Sequence, residues 1–112
     1  PTHGAQVVQR VLNDDTLRRQ WESELGAMRV RIKAMRKALV AGLATAGIDR
    51  DFSFIERQRG MFSYSGLTAD QVEALKTDHG IYAVSSGRIC VAALNDKNVE
   101  TVARAIASVL AK

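Results

Sequence analysis

Apolar residues recur every three or four positions through the first half of the chain, and every two in parts of the second. In GAQVVQRVL (4–12), Val7, Val8, Val11 and Leu12 share one helical face, which predicts a short amphipathic helix. Asn13, Asp14 and Asp15 read as a break and a new N-cap, with acids where the helix dipole favours them. Leu17, Trp21, Leu25, Met28, Ile32, Met35, Leu39 and Leu43 then make one stripe. The stripe predicts a single helix over about 14–46, stopped at Gly47. At 1.5 Å per residue such a helix is about 45 Å long. The rest of a chain of 112 residues cannot cover it along its whole run. Part of it is expected to lie against a sheet, and one end to meet another domain or subunit.

From Asp51 the period shortens. Phe52 and Phe54 alternate with Ser53, and Ile55 follows, which predicts a strand broken at Gly60. MFSYSG (61–66) alternates again, with Phe62 and Tyr64 on one side and Met61, Ser63 and Ser65 on the other. Thr68 and Gln71 have capping-box spacing and open a helix to about Asp78, with Val72 and Leu75 inward and Gly80 as its end. IYAV (81–84) and RICVAAL (88–94) read as two strands joined by the Ser85-Ser86-Gly87 turn. Asn95 caps a last helix whose buried face is Val99, Val102, Ala103, Ile106, Val109 and Leu110. The fold class that follows is α/β, an α+β two-layer sandwich. A small, mostly antiparallel sheet is covered by helices, with one long helix in the N-terminal half.

Composition narrows the function. Charged residues are 25% of the chain, an ordinary globular value. The formal net charge of +4 hints only mildly at an anionic partner. No stretch approaches the ~18 apolar residues of a membrane span, and the first residues show no charged-then-apolar pattern, so no signal segment is expected among them. A single cysteine, Cys90, excludes an internal disulfide framework and suits a reducing, cytoplasmic compartment.

The candidate chemistry is sparse. His3 and His79 are the only histidines, and no carboxylate or thiol stands at ligand spacing, so no metal site is expected. Cys90, between Ile89 and Val91, reads as a core thiol rather than a nucleophile. Arg29, Arg31, Lys33, Arg36 and Lys37 form a basic run, but Met28, Ile32 and Met35 in the same segment belong to the apolar stripe. The cations then read as the solvated back of an amphipathic helix, without the interleaved aromatics of a nucleic-acid platform. No nucleic-acid or membrane partner is expected, and a stand-alone basic α/β binding or interaction module is the alternative. Arg88, at the mouth of the apolar run Ile89–Leu94, has two readings. It is a structural ion pair, to Glu56 or Asp78, or a two-point fork for a carboxylate or phosphate. Spacing alone leaves both open.

RGMFSYSGL (59–67) followed by YAVSSGRICVAALN (82–95) resembles the C-terminal end of the fold-type I, pyridoxal-phosphate-dependent aminotransferases. It is similar in particular to the bacterial aspartate and aromatic-amino-acid subgroup. The resemblance covers essentially the entire chain. GAQVV, VLND, QRGMFSY and SGRICVAALN look closer to the aromatic-amino-acid branch.

The resemblance implies that residues 1–112 are the C-terminal small domain of such an enzyme. They would include the interdomain helix (about 14–46) and lack the cofactor domain. It implies that Arg88 binds the substrate α-carboxylate by a two-point contact and that Phe62 lines the substrate pocket beside it. The parent would move an amino group from an aromatic or acidic amino acid to 2-oxoglutarate as a homodimer, and domain closure would bring Arg88 over the cofactor. In the family the Schiff-base lysine follows a serine three residues earlier. Lys33, Lys37, Lys76, Lys97 and Lys112 follow Val30, Ala34, Glu73, Leu94 and Val109 instead. No catalytic or cofactor-binding residue is therefore expected in this chain, which alone should neither bind pyridoxal phosphate specifically nor transaminate.

Overall fold

The computed structural model describes all residues, 1–112, and divides into two compact units, Pro1–Arg31 and Ile32–Lys112. Helix α1 is Thr2–Asn13 and helix α2 is Asp15–Thr45. Asp14 separates them. Its Oδ1 accepts the amides of Thr16 (3.0 Å) and Leu17 (3.1 Å), which satisfies two donors that a helix start leaves open. At the other end Gly47 takes φ of 84°, the left-handed turn expected there.

In the first unit no residue is buried: Val7, Val8 and Leu12 of α1, and Leu17, Trp21, Leu25 and Met28 of α2, all remain exposed.

The second unit holds the core. Met35, Leu39 and Leu43 from α2 join Phe52, Ile55, Leu67, Val72, Leu75, Val91, Leu94 and the inner face of the last helix. Its elements are a short helix α3 (Phe54–Arg57), strand β1 (Phe62–Tyr64), helix α4 (Ala69–His79), strand β2 (Arg88–Cys90), a 3-10 turn (Val91–Ala93) and helix α5 (Val99–Leu110). The sheet is one antiparallel β1–β2 pair, so the α/β class holds in a mostly helical form. Gly42 lets α2 and α5 meet closely: a Cβ on it would stand 2.7 Å from the Cβ of Ala103. No helix is long and apolar enough to cross a membrane.

Three strand expectations are corrected. The stretch around Phe52–Ile55 is a turn leading into α3. Asp51 Oδ1 takes the Ser53 amide at 2.8 Å, and Phe52 and Ser53 offer their carbonyls to Ile55 and Glu56. Local side-chain capping overrides the alternation. Ile81–Val84 forms no strand. It touches the ribbon only through a single bridge, Val84 with Arg88, because no second strand lies beside it. The run after Arg88 stays extended only to Cys90 and then tightens into the 3-10 turn. The capping box is present, with Gln71 N donating to Thr68 Oγ1 (3.2 Å) and Thr68 N to Gln71 Oε1 (2.9 Å). Asn95 acts one turn earlier than expected. Its side chain accepts from Lys97 and Asn98, and α5 begins at Val99.

Candidate functional site

Strands β1 and β2 pair in the register Phe62 with Cys90, Ser63 with Ile89, and Tyr64 with Arg88. Directly opposed residues share a face. One face therefore carries Phe62, Tyr64, Arg88 and Cys90, and the other carries Ser63 and Ile89. The inner face is closed at Ser63, whereas Phe62, Tyr64 and Arg88 are exposed. Cys90 is half-buried on the outer face, not the core thiol that its neighbours implied. Phe62 and Arg88 stand diagonally across the ribbon, and the Arg88 guanidinium lies 5.6 Å from the Phe62 ring centroid.

That contact orients the guanidinium without tying it down. An exposed cation–π pair is worth about 0.5–1 kcal/mol, less than a charge-assisted two-point hydrogen bond to a carboxylate. The ion pair of the structural reading is absent. Asp78 is taken by Lys112, Nζ to Oδ2 at 2.8 Å, and that hydrogen bond and charge hold its carboxyl below the ordinary value. Neither Arg88 nor Glu56 takes part in any ion pair.

The backbone under Arg88 is fixed by its neighbours. Gly87 adopts φ of 85°, donates to Val84 O at 2.8 Å, and offers its own carbonyl to Ser65 N (2.8 Å) and Ser65 Oγ (2.6 Å). A Cβ on Gly87 would stand 2.7 Å from the Leu67 carbonyl oxygen. Both the conformation and the space exclude other residues.

Phe62 is fixed from below by a residue that the sequence reading placed on the solvated back of the helix. Arg36 is only 2% exposed. Its Nη1 donates to Ile55 O (3.0 Å) and Ser63 Oγ (2.7 Å), and its Nη2 to Gly60 O (2.7 Å) and Phe62 O (3.1 Å). Ser63 Oγ in turn donates to Gln58 Oε1, which also accepts Tyr64 N at 2.8 Å. Burial pushes the Arg36 guanidinium below its ordinary value, yet an arginine keeps its proton in a protein. The signal was available. Arg36 stands four residues after Ile32 and three before Leu39, on the apolar face itself.

Two cavities of the second unit lie away from this ribbon. The larger, about 360 Å³, is lined by Ala38, Gly42, Thr45, Ala46, Val99, Glu100 and Arg104. The other, about 330 Å³, is lined by residues from Val40 to Phe52. Pyridoxal phosphate needs an amine for its Schiff base and donors around its phosphate. Neither cavity has a lysine, every lysine of the chain is exposed, and Lys76 and Lys112 pair with Glu73 and Asp78. The residues present do not fit this cofactor. No three His, Cys, Asp or Glu side chains come together.

The comparisons agree on one family. The model of "Aminotransferase class I and II" matches residues 1–106. The chain is 68% identical over 110 residues to an aspartate aminotransferase of Pseudomonas aeruginosa, covering 98% of this chain and 28% of that protein. It is 51% identical over 110 residues, with the same coverage, to an aromatic-amino-acid aminotransferase of Escherichia coli. Among solved structures it matches an aromatic-amino-acid aminotransferase of Burkholderia pseudomallei, covalently bound to pyridoxal phosphate. There the TM-score is 0.94 and the identity 63%, over 98% of this chain and 28% of that one. The chain thus spans about 28% of the length of the relatives it matches. With the ribbon, the long helix and nearly every residue aligned, the chain belongs to the class I and II aminotransferases.

Proposed function

We propose that residues 1–112 are the C-terminal small domain of a pyridoxal-phosphate-dependent aminotransferase, with α2 as its interdomain helix. The parent moves an amino group from an aromatic or acidic amino acid to 2-oxoglutarate, in the cytoplasm and as a homodimer. Arg88 receives the substrate α-carboxylate and Phe62 lines the pocket beside it. The relatives carry both the aspartate and the aromatic-amino-acid names, which supports keeping both substrate classes. The cofactor, its Schiff-base lysine and its phosphate ligands belong to the remainder of the parent.

One observation carries the role of Arg88. Arg88 is exposed, its guanidinium lies against the Phe62 ring with no carboxylate partner, and the Gly87 carbonyl just before it accepts from Ser65 N and Oγ. A guanidinium with a free face on a hydrogen-bonded backbone binds a carboxylate without first breaking an ion pair or ordering that backbone. Its planar donors match two oxygens at once. Phe62 supports the fork from one side, so an incoming carboxylate approaches from the other.

The test is Arg88→Ala in the full-length enzyme, assayed for amino transfer to 2-oxoglutarate with cofactor occupancy measured by absorbance. Loss of a charge-assisted fork costs about 3 kcal/mol, so kcat/KM should fall on the order of a hundredfold or more with the cofactor still bound. Unchanged kcat/KM would remove Arg88 from the substrate site.

A further inference from the structure

We infer that Arg36, acting through Ser63 and Gln58, sets the pose of Phe62 beside Arg88 and is a positioning residue for the carboxylate site. The inference rests on the role proposed above for Arg88.

The acceptors of Arg36 are chemically unusual for a buried cation. It faces no carboxylate. Its two terminal nitrogens meet three main-chain carbonyls and one hydroxyl, and Gly60, Phe62 and Ser63 supply three of those four. A buried guanidinium carries a desolvation cost of several kcal/mol that hydrogen bonds must offset. Leu39 and Leu43 fill the same helix face without that cost. What a leucine cannot do is hold the backbone of residues 60–63 at several points at once.

That backbone needs holding. Strand β1 is three residues long and pairs with one strand only, a ribbon that is marginal by itself. A slip of one residue would exchange its faces, turning Phe62 inward and Ser63 outward. The Arg36 network opposes the slip on both sides of the pleat. Nη2 fixes the carbonyl of Phe62, and Nη1 fixes the side chain of Ser63 on the inner face. Gln58 extends the grip, taking the Ser63 hydroxyl and Tyr64 N, and donating to Tyr64 O at 3.1 Å. Because β1 sets where the Phe62 ring lies under the Arg88 guanidinium, the network reaches the carboxylate site without touching a substrate.

The experiment is a double-mutant cycle in the full-length enzyme. Ser63→Ala, Gln58→Ala and Arg36→Lys are each made alone and in an Arg88→Lys background. Lysine keeps the charge but cannot reach acceptors on both sides of the fork. Ser63→Ala and Gln58→Ala leave the guanidinium its main-chain acceptors, and they decide the question if Arg36→Lys does not fold. A positioning role predicts that each single variant lowers kcat/KM about tenfold, and less than about twofold once Arg88 is already lysine. The same factor in both backgrounds, or no loss in the wild-type background, assigns Arg36 to stability alone and overturns the inference while the role of Arg88 stands. If Arg88→Lys itself leaves kcat/KM unchanged, the carboxylate reading falls and the positioning role falls with it.

Discussion

Gly87 shows how much of the site was written in single residues. Ser85-Ser86-Gly87 announced a turn before Arg88, and the turn is there, closed by Gly87 N on Val84 O. What spacing could not give is that the far side of Gly87 abuts the Leu67 backbone, a contact between segments distant in sequence. Gly87→Ala should therefore be costly twice over. The left-handed conformation alone costs a residue with a Cβ about 1–2 kcal/mol, and the 2.7 Å approach to Leu67 O forces backbone to move. Thermal denaturation should show Tm lowered by several degrees, and the shift should carry Arg88 with it. An unchanged Tm would mean that the turn relaxes freely and does not fix the arginine. Spacing leaves Arg88 with two readings and assigns Arg36 to the solvated back of α2, whereas Arg36 is buried and Arg88 is exposed. The helical period put Arg36 on the apolar face, but charge was weighed above phase. The pairing of Phe62 with Arg88 needed the strand register, which no local pattern encodes.

At the scale of elements, helices were legible because their ends are local chemistry. Asp14, Gly47, the Thr68–Gln71 box and Gly80 act within a turn or two of their own positions. Strands were less legible because a strand exists only beside a partner. Tyr64 and Arg88 have each other, whereas Ile81–Val84 has one bridge and remains irregular. Phe52 and Phe54 alternate as a strand would, yet the Asp51 carboxylate captures the Ser53 amide and turns the chain. The helix caps give the cleaner prediction. Thr68→Ala removes the acceptor for Gln71 N and should destabilise the protein by about 1 kcal/mol. Thr68→Ser keeps the oxygen and should lie close to wild type. Denaturant midpoints for the two variants check this, and equal midpoints for Ala and Ser would show that water replaces the cap at no cost.

At the scale of the whole molecule, the apolar stripe of α2 is longer than its burial. It runs from Leu17 to Leu43 in the sequence, but full burial begins only at Met35. Trp21 is 43% exposed and Met28 58%, and no residue of Pro1–Arg31 is buried. Helices in water draw most of their stability from a covered apolar face, and a contiguous exposed patch beyond a few hundred Å² marks an interface. The chain also spans only about 28% of its relatives' length. Under the proposed function, the bare stripe is the part of α2 that the rest of the parent enzyme would cover. The 112-residue chain alone should therefore self-associate through Trp21 and Leu25, with an average mass in sedimentation velocity that rises with concentration. Trp21→Glu with Leu25→Lys should abolish that rise without altering the second unit, whose core does not include these residues. The same pair placed in the full-length protein should lower its Tm if the proposed parent covers this face. A wild-type chain that stays monomeric at every concentration, with a full-length Tm indifferent to both changes, would show that solvent is the stripe's proper neighbour. The reason for its length would then lie in the helix itself.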